Sequence, residues 1–269
     1  MNISFSKDTF PNIKLFIGTP MHGGACTSAY LNGMVDLSAA CTAYNIGMTL
    51  YGNTTSLVQA ERNLCVARFL ESTYTHFLFI DSDIGFTAKD ALTLLHLVAF
   101  DKEEKYDVLA GPYPKKSISW KKVKCAVEKG LADKDAESLA NYIGDYSFLA
   151  PPEKPFSFNT PAEVLEIRTG FMMIPRRTFE KFMQAYPENF FKESDGKEQF
   201  AFFNCAIDPD TKRFLGEDSF FCKNVRKMGG KIWVAPWLKL THQGTYSFQG
   251  SLSHIAAIGM SPSDDKGPC

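Results

Sequence analysis

The chain has 269 residues, 45% of them apolar, and a formal net charge of −1. This length and apolar content support one large buried core and exclude a disordered chain, while the charge balance gives no electrostatic reason for a nucleic-acid groove. The seven cysteines are odd in number and form no C-x-x-C pair, which argues against zinc or dithiol chemistry and suits a reducing compartment. The opening MNISFSKDTFPNIK lacks the basic start and apolar run of a secretion signal. No stretch of about 18 apolar residues offers a membrane span, so a cytoplasmic protein without a transmembrane segment is expected.

In chain order, IKLFIGT (13–19) is an apolar run that stops at Thr19-Pro20 and reads as a buried strand. Helical spacing follows over 28–44, a strand over 46–52, and an amphipathic helix built on Leu57, Val58, Leu64, Cys65, Ala67, Phe69 and Leu70. A strand over 76–80 then runs into Asp81 and Asp83. Thr87 is placed to cap a helix over 88–100, and YDVLAG (106–111) reads as the next strand. This βα alternation predicts a Rossmann-like, mostly parallel α/β sheet flanked by helices. In such sheets ligands bind beyond the carboxyl ends of the strands, which puts Thr19, Asp81 and Asp83 on one rim.

Residues 115–160 change character. They offer a Lys-rich strand candidate (118–127), a polar helix candidate (131–143) and the Pro-rich PPEKPFSFNTP, together read as an insertion or acceptor-side lobe. Lys115, Lys116, Lys121 and Lys122 read as solvated loop residues. Regular signals return with EVLEIRTGFMMI (163–174), helices over 176–185 and 217–228, and a small C-terminal portion with strands over 231–235 and 238–242. Residues 1–250 thus form the expected single domain, followed by a flexible tail over 251–269.

Carboxylates where a strand opens into a loop are costly to desolvate unless a cation opposes them, and oxygen ligands favour Mg2+, Mn2+ or Ca2+ over zinc. An aspartate after a strand also serves ordinary backbone capping, so the pair alone leaves both readings open. An EF-hand is excluded, because its fifth and sixth loop positions would be Gly85 and Phe86. A haloacid-dehalogenase-like phosphohydrolase also uses Asp-x-Asp after a strand, but near the start of its fold; here about three β/α elements come first.

The surroundings of the pair carry a resemblance. QAERNLCVARFLESTYTHFLFIDSD resembles the helix and DxD strand of GT-A fold glycosyltransferases of the family 2-like group, with Arg62 and Asn63 at the Ala-Arg-Asn-like positions and Glu61 where a small residue is common. EIRTGFMMIPRRTFEKF resembles the segment with a Thr-Gly turn beneath the donor sugar. LGEDSFFCKNVRKMGGKIWVAPWLKLTHQG resembles the Glu-Asp helix, the Gly-bounded strand and the late His. Together these segments cover most of residues 13–244 in the right order.

The resemblance implies a GT-A catalytic domain that moves a sugar from a UDP- or GDP-sugar to a glycan, lipid or protein hydroxyl in glycan biosynthesis, with no nucleic-acid partner. It implies Mn2+ or Mg2+ held by Asp81, Asp83 and His242, acting as a Lewis acid on the leaving diphosphate. Donor contacts would come from Thr19, Pro20, Arg62, Asn63, Asp81, Ser82, Asp83, Arg168, Thr169 and Gly170. Asp218, beside Glu217, would take the acceptor proton in an inverting reaction; equally, acids in a helix's first turn oppose its dipole. A non-catalytic nucleotide-sugar-binding module is the further alternative. The aromatic group Phe200, Phe202, Phe203, Trp233 and Trp237 reads as core before it reads as a sugar platform.

Overall fold

The computed structural model describes residues 5–152, 156–193 and 196–247, together with 249, 251, 254, 257 and 258. Its first half alternates as the periodicity predicts: β1 (Lys14–Pro20), α1 (Ser28–Ala43), β2 (Gly47–Asn53), α2 (Val58–Leu70), β3 (His76–Ile80), β4 (Ile84–Gly85), α3 (Ala88–Ala99) and β5 (Val108–Ala110). Thr87 caps α3 in a reciprocal box with Asp90, so two backbone N–H groups at that terminus find partners. The second half contains α4 (Trp120–Glu128), β6 (Phe148–Leu149), β7 (Ala162–Val164), β8 (Glu166–Ile167), β9 (Phe171–Pro175) and α5 (Arg176–Ala185). It continues with β10 (Phe190–Lys192), β11 (Glu198–Phe200), β12 (Ala206–Ile207), β13 (Phe214–Leu215), α6 (Glu217–Lys227), β14 (Ile232–Val234) and β15 (Thr241–His242).

The central sheet has the order β2-β1-β3-β9-β5-β14-β7. β1 pairs in parallel with β2 and β3, and β5 with β14; β9 runs against both β3 and β5, and β7 against β14. The sheet is therefore mostly parallel, with helices on both faces and short antiparallel pairs outside it, as expected. β3 shows why its sequence is continuously apolar: every residue is buried, Leu78 and Ile80 in one core with α1 and α3, Phe77 and Phe79 in the other with α2, α5 and α6.

Three expectations change. Residues 118–127 form no strand, because Val123, Ala126 and Val127 recur at helical spacing; α4 packs there on a 3₁₀ segment (Ala136–Tyr142), which is all that forms of the helix expected over 131–143. The run 163–174 is interrupted, as the expected Thr-Gly turn requires, at Arg168–Gly170, so β7 and β9 join the central sheet while β8 pairs with β6. Over 238–242 only Thr241–His242 is strand, since Leu238 and Leu240 are drawn into the core. The lysines near 115–122 are not all free: Lys116 pairs with Asp83 and Lys122 with Asp145.

Phe202 and Phe203 are core residues, and the indole of Trp233 donates to the Lys105 carbonyl at 2.9 Å, in keeping with packing. Most of the expected tail over 251–269 lies outside the described residues. Among the described residues no helix is long and apolar enough to cross a membrane, and the cysteines are unpaired.

Candidate active site

The apolar strand β3 ends at Ile80, and the chain turns at once. The Asp81 N–H donates to the Gly170 carbonyl (2.9 Å) and the Ile84 N–H to the Asp81 carbonyl (3.0 Å), a tight turn that presents Asp81, Ser82 and Asp83 at the carboxyl end of the sheet. These three residues line a cavity of about 220 Å3 with Pro20, His22 and Glu61. Glu61, the departure from the usual small residue, is buried and accepts the Thr55 N–H, which fixes the loop forming one wall of that cavity.

Behind the rim lies Arg62, only 4% exposed. Two of its nitrogens donate to the two carboxylate oxygens of Asp81 at 2.9 and 3.1 Å, its Nε lies 3.5 Å from Glu217, and its plane sits over the ring of Phe79. Burial opposes its charge, but the carboxylates of Asp81, Asp218 and Glu217 outweigh that cost and hold it protonated beyond the ordinary arginine range.

The second aspartate has a different environment. β15 pairs antiparallel with β4, setting His242 opposite Ile84, and the Gln243 N–H donates to the Asp83 carbonyl. This brings His242 Nε2 to 3.5 Å from Asp83 Oδ1. His242 Nδ1 lies 2.9 Å from the Pro114 carbonyl, which only accepts, so Nδ1 carries hydrogen and Nε2 is left facing the carboxylate. The Lys116 ammonium contacts Asp83 Oδ2. Burial pushes the Asp83 carboxyl up, yet hydrogen bonds from His242 and Lys116 prevail and lower it to about 2.

Asp218, in the first turn of α6, is 6% exposed. Its Oδ1 accepts from the Thr169 hydroxyl (2.6 Å) and backbone N–H (3.2 Å), and its Oδ2 from Arg168 Nη1 (2.9 Å). The neighbouring Glu217 is raised above its ordinary range by burial and by the Asp218 charge, against the pull of Arg62. Asp218 and Arg168 line a second cavity, about 280 Å3, together with Tyr146, Phe148 and Leu149 of the 115–160 segment.

Asp81, Ser82, Asp83, Pro20, Arg62 and His242 thus gather on one rim, and Arg168, Thr169, Asp218 and Glu217 join it through Arg62. Thr19 is fully buried with its hydroxyl 2.8 Å from that of Tyr30, so it supports the rim from below. Asn63 is turned to structure: its amide exchanges two hydrogen bonds with the backbone of Phe203, at 2.8 and 2.9 Å. Gly170 is glycine because the Tyr113 ring lies against it; a Cβ there would sit 2.5 Å from the phenol oxygen, which accepts the Gly170 N–H at 3.1 Å. Sequence reasoning missed Lys116, Tyr113 and Tyr30. Tyr113 and Lys116 lie a few residues after β5, and Tyr30 in the first turn of α1, none in a pattern that marks a site.

Among the described residues no cluster of three or more His, Cys, Asp or Glu side chains is disposed to hold a metal. The expected trio comes together in part: Asp83 and His242 meet, while both oxygens of Asp81 engage Arg62. The pair itself fits a divalent cation, since one hard carboxylate and one imidazole face each other, the imidazole oriented from behind by a carbonyl.

No protein-family model matches the chain, and no curated protein matches its sequence. Among solved structures it is similar to A197 from STIV, at 18% identity and TM-score 0.44 over 89% of this chain and 98% of that one. It is also similar to GalNAc-T7 with UDP, GalNAc and Mn2+, at 10% identity and TM-score 0.46 over 92% of this chain and 48% of that one. A third is a glycosyltransferase involved in the glycosylation of the major capsid of PBCV-1, at 9% identity and TM-score 0.31 over 62% of each chain. The chain spans about half the length of GalNAc-T7. Likeness at these levels gives no residue a role.

Proposed function

We propose that residues 1–250 form one GT-A-type glycosyltransferase domain that moves a sugar from a UDP- or GDP-sugar to an acceptor hydroxyl of a glycan, lipid or protein. The observation that supports it most is the meeting of Asp83 with His242 at the carboxyl rim of the sheet, delivered by the β4–β15 pairing. In this reading Pro20 and Ser82 contact the nucleoside and Asp81 the ribose, with Arg62 holding Asp81 in place. Asp83 and His242 would hold Mn2+ or Mg2+, which supplies positive charge to the leaving diphosphate.

The acceptor enters beside Asp218, under the lobe formed by residues 115–160. Its hydroxyl oxygen attacks the anomeric carbon, the bond from that carbon to the diphosphate oxygen breaks with its electron pair, and the hydroxyl proton passes to Asp218 Oδ2. Thr169 fixes Oδ1 throughout. The half-exposed Arg168 withdraws from Oδ2 to admit the acceptor. An attack assisted from Asp218 favours inversion at the anomeric carbon. A phosphohydrolase using Asp81 as nucleophile is disfavoured, because Arg62 engages both of its oxygens. A cytoplasmic setting agrees with the unpaired cysteines.

The test is calorimetric titration of UDP- and GDP-sugars into wild type and Asp83→Ala, each with Mn2+, with Mg2+ and with chelator. One nucleotide should bind with metal only, and the variant should lose it while keeping its fold. Hydrolysis of phosphate esters with no nucleotide binding would overturn the assignment.

A further inference from the structure

Asp83 carries a cation of the protein's own. The Lys116 ammonium sits 2.5 Å from Oδ2, while Oδ1 lies 3.5 Å from His242 Nε2. A divalent ion held between Oδ1 and this imidazole would draw on the carboxylate whose other oxygen Lys116 now neutralises, and would sit close to the ammonium.

The backbone around Lys116 is anchored, while its side chain is held only at its charged tip and along Gly244. The Lys115 N–H donates to the Asp145 carbonyl (2.7 Å), the Ser117 N–H to the Lys115 carbonyl (2.8 Å), and Pro114 bridges to Tyr146. The Lys116 stem then crosses Gly244, two residues beyond His242. A Cβ at Gly244 would lie 2.6 Å from Lys116 Cδ, so the missing side chain leaves the path to Asp83 open. The Lys116 side chain is 41% exposed, and its four-carbon stem can swing without moving its Cα.

We infer that Lys116 is a resident counter-ion of Asp83 that a divalent cation displaces, and that the displaced ammonium then binds the donor's diphosphate. The inference rests on reading Asp83 as a cation ligand in a nucleotide-sugar site. Metal alone must evict Lys116 with nothing to receive it; nucleotide alone meets a lysine already engaged. Bound together, each relieves the other's cost, so metal and nucleotide bind cooperatively through one side chain, and by linkage the coupling is the same in both directions.

The experiment measures Mn2+ binding by electron paramagnetic resonance, and UDP and GDP binding by calorimetry with and without Mn2+, on the full chain and on Lys116→Met. The variant should bind Mn2+ alone about tenfold more tightly and bind nucleotide with saturating Mn2+ about tenfold more weakly, with most of the coupling lost. Gly244→Val, which pushes the stem aside, should tighten Mn2+ in the same direction. Unchanged or weaker Mn2+ binding in Lys116→Met, or Mn2+ binding to neither protein, overturns the inference, as does coupling that survives the substitution. Failure of every nucleotide to bind wild type sinks the glycosyltransferase reading instead. The Mn2+ comparison does not depend on that result and decides the competition at Asp83.

Discussion

Arg62 grips both carboxylate oxygens of Asp81, at 2.9 and 3.1 Å, while its third nitrogen faces Glu217. One buried guanidinium therefore joins the strand-end Asp81 to the first turn of α6. Arg62→Met leaves Asp81 and the largely buried Glu217 without their counter-charge, and should destabilise the protein by about 3 kcal/mol. Urea unfolding at pH 7 checks this. A loss below about 1 kcal/mol would mean that solvent reaches the pair more freely than its burial suggests.

Asn63 separates architecture from donor contact. Asn63→Ala strips the buried N–H and carbonyl of Phe203 of their partners and should cost about 2 kcal/mol. The folded fraction should keep its nucleotide affinity. A variant of unchanged stability that fails to bind nucleotide would return Asn63 to the donor site.

Asp218→Asn keeps the carboxylate's shape and removes its basicity. Nucleotide binding should persist while kcat for transfer falls about 10²- to 10⁴-fold, with little change in the donor KM. Donor affinity falling in step with kcat would assign Asp218 to holding Arg168 and Thr169 instead.

His76, inside β3, is lowered from 6.5 to about 4, by burial first and then by the charge of Arg177. Its folded value lies below the unfolded one, so between these pH values the unfolded chain binds the extra proton. Stability is complete above about pH 6.5 and falls as pH drops through the window, by about 3 kcal/mol at its lower end. Urea midpoints at pH 7 and pH 4.5 should differ less in His76→Gln than in wild type.

Gly85 lies where β15 meets β4. A Cβ there would come within 2.8 Å of Ala29 and closer still to the Thr241 hydroxyl. Gly85→Ala should push β15 away, weaken Mn2+-dependent nucleotide binding at least tenfold and leave the central sheet intact by circular dichroism. Retained binding would show that His242 reaches Asp83 without the strand pair.

The α/β class and the rim were legible because their signals are local. β3 is apolar without interruption, Asp81 and Asp83 follow it directly, and Thr87 stands three residues before Asp90. What escaped depends on distant partners. Phe203 meets Asn63 across 140 residues, and Lys116 meets Asp83 across 33. The reversed direction of β9 has no mark in FMMIP, since a strand buried on both faces reads alike either way. Nor could periodicity decide α4, where apolar residues are few and short strand and helix patterns overlap.

The β4–β15 pairing also sets an order of assembly. Every strand of the central sheet has been synthesised by Val234, whereas His242 follows eight residues later and docks on a turn made long before it. A growing chain can close its core while the rim is still open. The arrangement at Asp83 thus depends on a segment that follows every strand of the central sheet, and a chain released just short of Thr241 would hold all the strands of that sheet with an unfinished site.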